Sequence, residues 1–417
     1  MRSSKFRALL LMLLLSFTGR IYLQAQPLAQ PNWYAPVGYF SELARDLSEA
    51  KGEGKTISIL QLGDSHIQAG YTTQPLRQLL QRQYGDAGRG WIGWYRLYGS
   101  NAPRDYQVSS TGFGWRRELI LKPEGRIPMG LGGYALEANR PDGFSIHVTS
   151  SSAPFSSMLL IRSASSSPLV AFPTAHLGLG KFSTGAYVAD TLSWSSSRTD
   201  VSLSPQYEEG NEAVYAGCVL LSGKGGALVH DIGINGAAYH HYALGDYVEQ
   251  LTLLSPKLLI LSLGTNDSYS TKFQLEDFRM QFEEMLSLLK QYLPQTKILL
   301  TTPPPSFFRS TSVHYVTTGK KRRRHHKKVV STMYRFNDGA RQLSAELMRQ
   351  AKLRGVAVFD LFSAIGGEEG IRSWIADGSL ANDRVHYTRE GYERQGSMIA
   401  EALLKALYVP TNSIPRQ

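Results

Sequence analysis

Four short segments of the chain hold the residue types that nucleophilic catalysis needs: Gly63-Asp64-Ser65-His66, Gly236, Gly264-Thr265-Asn266-Asp267 and Asp383-Arg384-Val385-His386. A serine hydroxyl is a weak nucleophile until a base removes its proton. Of the ten histidines, only His386 stands three residues after an aspartate. A carboxylate on that turn can accept the imidazole Nδ1–H and leave Nε2 free for the serine proton. The N–H groups of Ser65 and Gly236 and the side-chain amide of Asn266 are neutral donors, suited to an oxyanion that develops during attack on an ester. Each segment also has an ordinary structural use. Gly-Asp-Ser and Asn-Asp are common turns, Asn235-Gly236 reads as a hairpin turn, and Asp383 can cap backbone N–H groups at a helix entry.

Catalysis requires elements that bring these segments together. Thr56 to Leu62 alternates and is rich in β-branched residues, so it predicts a strand that delivers Ser65 at its carboxyl end, ahead of a helix from about Thr73 to Tyr84. Lys257 to Leu263 is a nearly continuous apolar run, as in a strand buried on both faces, and ends at Gly264. From Leu244 onward the pattern alternates between helix and strand. A helix carrying Phe278, Phe282, Met285, Leu286, Leu289 and Leu293 on one face precedes a strand from Lys297 to Thr302. A helix near Thr332 to Arg354 then leads to a strand at Val356 to Asp360, and a last helix runs from Thr388 to Leu407. Only one strand of this mainly parallel sheet is expected before residue 90.

Residues 89–228 read differently. Short runs at Glu118 to Leu121, Phe144 to Val148, Met158 to Arg162, Ala186 to Ala189, Val201 to Leu203 and Val214 to Leu221 are punctuated by Gly, Ser and Pro, with no long helical period. They predict an all-β sandwich or jelly roll. The aromatic cluster Trp91, Trp94, Tyr95 and Tyr98 fits core packing at the domain junction better than a sugar-binding surface. The expected organisation is a signal peptide at 1–25, a first catalytic part at 26–88 bearing Ser65, the inserted β-module at 89–228, and a second catalytic part at 229–417 with a basic loop at 319–329.

The order and spacing of the blocks resembles the SGNH (GDSL-like) hydrolases, a family of serine esterases. With a carbohydrate-binding-like β-module after Gly-Asp-Ser-His and Ile234-Asn235-Gly236-Ala237 resuming the catalytic fold, the chain resembles the Gram-negative peptidoglycan O-acetylesterases. The resemblance implies an α/β three-layer sandwich plus the inserted β-domain. It also implies Ser65 as nucleophile, His386 as general base and acid, Asp383 as its orienter, and Ser65, Gly236 and Asn266 as the oxyanion hole. The implied reaction removes O-acetyl groups from N-acetylmuramoyl residues, with an acetylated glycan as partner and no metal or organic cofactor. Deacetylation of sialic acid or another polysaccharide, acetyl transfer to a sugar, and a wall-binding protein with a vestigial triad remain alternatives.

Other chemistries lack support. There is no Gly-x-Ser-x-Gly elbow and no His-Glu-x-x-His, and Phe182 follows Gly180-Lys181 where a phosphate loop needs Ser or Thr. The single cysteine, Cys218, lies in an apolar run and reads as a buried small residue. Arg2, Lys5 and Arg7 precede the apolar stretch Ala8 to Leu15, and Gln24-Ala25-Gln26 offers a cleavage site, so a periplasmic or secreted location is expected without a lipoprotein cysteine. The formal charge of +11 is concentrated in four cations of the first 25 residues and seven in Lys320 to Lys328; the remainder is neutral. That distribution argues against nucleic acid as a partner. It leaves the basic run as a solvated loop or a contact for an anionic polymer or membrane surface.

Overall fold

The computed structural model describes residues 32–110, 115–138, 143–148, 154–205, 213–318 and 325–408. The expected signal peptide lies outside these residues. Six strands form the central sheet, in the order Trp33–Tyr34, Ala357–Phe359, Lys297–Thr301, Leu258–Ser262, Thr56–Gly63, Gly226–Gly233. All neighbours are parallel except the first pair, in which Trp33–Tyr34 runs antiparallel to Ala357–Phe359. Two strands therefore precede residue 90 rather than one. The extra one is two residues long at the sheet edge, too short to leave an alternating pattern.

Helices cover both faces. Ile57, Ile59, Val229, Leu258 and Ile260 pack with Leu43, Leu47, Leu76, Leu80, Ile399 and Leu403 from helices Ser41–Glu53, Thr73–Tyr84 and Arg389–Leu407. On the other face Leu60, Leu62, Leu259 and Leu261 meet Phe278, Phe282, Met285, Leu343 and Leu347 from helices Leu275–Tyr292 and Asp338–Arg354. This is a three-layer α/β sandwich. Among the described residues no helix is long and apolar enough to cross a membrane.

Between strands Thr56–Gly63 and Gly226–Gly233 the chain forms two antiparallel sheets. One orders His176–Thr184, Tyr187–Arg198, Phe155–Ser163, Val214–Leu221, Tyr134–Glu137 and Arg116–Leu119, with Gly90–Gly93 also paired to Val214–Leu221; the other orders Tyr106–Ser110, Phe144–Val148, Asp200–Pro205 and Leu169–Phe172. Their inner faces meet through Phe144, 5.7 Å from Tyr215 and 4.8 Å from Trp94 between ring centroids. Trp91, Trp94, Tyr95 and Tyr98 are all buried in this core, as the packing reading expects. Cys218 is buried there too.

Three expectations need correction. The helix read from Thr332 begins only at Asp338, because Phe307–Thr318 and His325–Phe336 form a long antiparallel hairpin. The basic run is consequently not all loop: residues 319–324 lie outside the described residues, whereas His325 onward is strand. The parallel sheet also resumes at Gly226, three residues ahead of the boundary read from sequence.

A buried ionic network joins the two architectures. Arg89 Nη1 lies 2.5 Å from Asp231 Oδ1 and Arg89 Nε 2.8 Å from Asp105 Oδ2, while Arg77 Nη2 lies 2.6 Å from Asp231 Oδ1. Two cations and two anions, drawn from a sheet strand, its covering helix and the start of the β-region, balance one another out of water. Removing one partner strands the others, which costs about 3–5 kcal/mol. Arg89→Met is expected to lower unfolding stability by that order, measured by denaturant titration; a loss within experimental error would contradict this role.

Candidate active site

Parallel register brings the segments to one edge. Gly63 pairs with Gly233 on one side and with Ser262 on the other, so three strands end level. The chain continues from these ends into Asp64-Ser65, Ile234-Asn235-Gly236 and Leu263 to Asn266. The turn after Gly63 crosses the neighbouring strand so closely that a Cβ at Gly233 would stand 2.4 Å from the Gln68 nitrogen and 2.7 Å from the Asp64 oxygen. Gly236 has φ +87°, a backbone state that other residues rarely adopt.

Ser65 opens a short helix, Ser65–Gln68, capped by Asp64, whose Oδ1 accepts the His66 N–H at 2.9 Å. Its Oγ lies 2.9 Å from His386 Nε2, and His386 Nδ1 lies 2.8 Å from Asp383 Oδ2. The other oxygen of Asp383 accepts the N–H groups of Val385 and His386, both at 2.9 Å. Loop capping and imidazole orientation, alternatives in the sequence, are thus done by different atoms of one carboxylate. Burial alone would raise the Asp383 pKa, but the bonds from the imidazole and the two N–H groups outweigh it and hold the carboxyl below its ordinary range.

The expected donors follow the same level strand ends. Among the described residues neither the Ser65 nor the Gly236 N–H has a hydrogen-bond partner. Asn266 Nδ2 donates to the Ala237 carbonyl at 2.9 Å, and lies 3.4 Å from Asp64 Oδ2. One amide hydrogen is therefore committed to holding the Gly236 turn, and only the other is loosely held. All five residues singled out in the sequence come to this edge of the sheet.

Three supporting residues were given no role from sequence. Gln68 is buried; its Nε2, with two hydrogens, lies 2.6 to 2.8 Å from Ser100 Oγ and both oxygens of Asn101, and its Oε1 accepts the Asn235 N–H at 2.8 Å. It ties the Gly236 turn to the Ser65 helix, and only its position three residues after Ser65 could have flagged it. His66 packs 5.7 Å from the His386 ring and edge-on to Tyr392 at 5.4 Å. Burial, then the nearby His386, push its pKa down to about 3, so it stays neutral behind the relay. Asp267 accepts the Tyr239 N–H with one oxygen at 3.0 Å and is nearly buried beside Asp64.

The arrangement can carry out acyl transfer by a nucleophilic serine, with a base in contact and two unoccupied N–H donors nearby. Residues 206–394 match the model of the GDSL-like Lipase/Acylhydrolase family. That span holds Gly236, Asn266, Asp383 and His386, while Ser65 lies outside it, ahead of the antiparallel sheets in sequence. No curated protein matches the chain. Among solved structures, a peptidoglycan O-acetylesterase is similar at 19% identity and TM-score 0.68, over 88% of this chain and 96% of that one. A GDSL-like lipase from Bacteroides thetaiotaomicron matches at 21% identity over 43% of this chain and 76% of its own, TM-score 0.30. A carbohydrate esterase family 3 protein from Talaromyces cellulolyticus matches at 14% identity over 43% and 72%, TM-score 0.31.

Ser65→Ala is expected to abolish hydrolysis of a chromogenic acetyl ester while leaving the unfolding transition in place. Asp383→Asn should retain a residual rate on the order of 10⁻⁴ of wild type, through a mis-set tautomer; an unchanged rate would reduce Asp383 to a cap. A second expectation concerns pH. Burial drives Asp64 up to about 7, with the Asp267 charge adding, and burial drives Asp267 up to about 6. Between the ordinary carboxyl range and pH 7 the folded chain keeps protons that the unfolded chain has shed, so these groups make stability fall as pH rises. Asp267→Asn can still accept the Tyr239 N–H. It should flatten that slope and gain over wild type more at pH 8 than at pH 5, read from denaturant midpoints; an equal shift at both would contradict the assignment.

Proposed function

We propose that this chain, a carboxylic ester hydrolase of the GDSL-like family, removes O-acetyl groups from a cell-wall glycan, and that the glycan is peptidoglycan acetylated on its N-acetylmuramoyl residues. The observation that carries the chemistry is the unbroken relay from Ser65 Oγ through His386 to Asp383. In the proposed route His386 Nε2 takes the hydroxyl proton as Ser65 Oγ attacks the acetyl carbonyl. The resulting oxyanion is held by the N–H groups of Ser65 and Gly236 and by the Asn266 amide hydrogen that turns to it from its long 3.4 Å bond to Asp64 Oδ2. The imidazolium returns its proton to the departing sugar oxygen, leaving an acetyl-serine. Water, deprotonated by His386, then attacks that ester and acetate leaves.

Two features support the glycan. The similarity to a peptidoglycan O-acetylesterase runs through the antiparallel sheets as well as the parallel one, over 88% of the chain. The outer face of the four-stranded sheet also forms a groove lined by Gln107, Ser145, His147 and Ser202 with Phe172 at its rim, 75% exposed. An aromatic face beside a polar floor suits a sugar ring. An extracytoplasmic location, read from the basic and apolar leader, belongs to the same proposal.

The test is acetate release from O-acetylated peptidoglycan and from an O-acetylated sialoside, with a small acetyl ester as reference. Peptidoglycan should be the better glycan, and Phe172→Ala should lower its turnover several-fold. Activity on the sialoside with none on peptidoglycan would overturn the substrate while leaving the serine mechanism standing.

A further inference from the structure

The hairpin Phe307–Phe336 is unlike the rest of the molecule. Its sequence holds nine Lys and Arg and no Asp or Glu, whereas the rest of the chain beyond residue 25 has a slight excess of acids. Its strands form a two-stranded sheet joined, among the described residues, to no other strand. From Arg309 to Tyr315 and from Val330 to Arg335 the residues are exposed or nearly so. Val313, Tyr315, Val330 and Met333 are each at least half exposed. Such a ribbon has long open edges, and one that folds alone in water is at best marginally stable.

Its base is tied to the loop that carries Asp383 and His386. The Phe307 N–H donates to the Arg384 carbonyl at 2.9 Å, and the Tyr334 hydroxyl to the Asn382 carbonyl at 2.7 Å. The Arg384 guanidinium lies 5.5 Å over the Tyr334 ring. Strand alternation places on the Tyr334 face four successive cross-strand rungs: Arg309 with Tyr334, Thr311 with Thr332, Val313 with Val330, and Tyr315 with Lys328. Each end of this ladder pairs an aromatic ring with a cation, and a hydroxyl rung and an apolar rung stand between them. The ladder is about 20 Å long at the usual strand rise. It starts beside the Asp383 loop and leads away from it.

We infer that this hairpin is a docking arm that holds an acidic glycan strand, the peptidoglycan polymer itself, along the Tyr334 face and so brings its ester to Ser65. The inference rests on the proposed glycan substrate. Rings and hydroxyls of the ladder match sugar faces and edges, and the cations match carboxylates on the polymer. A second copy of the arm is disfavoured by its own like charge. A lipid surface would call for a continuous apolar face, which the threonine rung interrupts.

The experiment measures binding, without turnover, to wall sacculi stripped of O-acetyl groups by mild base. It therefore does not depend on whether the chain is an esterase. The full chain should co-sediment with the sacculi. Tyr315→Ser with Lys328→Ser should weaken binding roughly tenfold at low ionic strength, with the charged part of the difference shrinking as salt screens it. Met333→Ser, on the opposite face, should bind as the parent does. Equal weakening by Met333→Ser, undiminished binding by the double variant, binding to phosphatidylglycerol vesicles but not to sacculi, or dimerisation through the arm would each overturn the inference.

Discussion

The site depends on one constraint, the register that ends three parallel strands at Gly63, Gly233 and Ser262. A slip of one residue in either pairing would turn every side chain to the opposite face of a sheet buried on both sides. The register is therefore held by the whole core and not by the site. From level ends, turns of a few residues lead to the Ser65 hydroxyl, the Gly236 N–H and the Asn266 amide at one edge of the sheet. The backbone must approach closely there, which explains a glycine under the Ser65 turn.

His386 arrives by another route. Its loop precedes helix Arg389–Leu407, which packs on the sheet through Ile399 and Leu403, and Tyr387 anchors it by donating to the Pro305 carbonyl at 2.8 Å. Asp383 uses one oxygen to shape that loop and the other to orient the imidazole. Beneath it, two buried carboxyls, Asp64 and Asp267, and a neutral His66 form a poorly solvated floor. Polar groups buried in this way cost stability, and their presence under a nucleophile fits the usual exchange of stability for preorganised chemistry.

Much of this was legible in the sequence where local pattern and tertiary role coincide. The apolar run before Gly264, the alternating strand before Ser65 and the amphipathic helix of Phe278 and Phe282 each carry a period that only one environment satisfies. What was not legible lacked such a period. Trp33–Tyr34 is too short to show alternation. Thr332 to Phe336 mixes β-branched, basic and aromatic residues on a ribbon exposed on both faces, so no face is uniformly apolar and the stretch reads as the start of the helix that follows. Gln68 could not be identified because its role lies in contacts with Ser100, Asn101 and Asn235, distant in sequence and joined only by the fold.

The central claim is that Ser65 becomes an activated nucleophile only when His386 and the parallel register place it. Labelling of the intact protein with a fluorophosphonate ester, followed by peptide mass analysis, addresses it directly, because phosphonylation requires an activated serine and no particular glycan. The account predicts a single adduct on the Ser65 peptide, lost in His386→Ala while the fold persists. An adduct on another serine, or one on Ser65 that survives loss of His386, would contradict it.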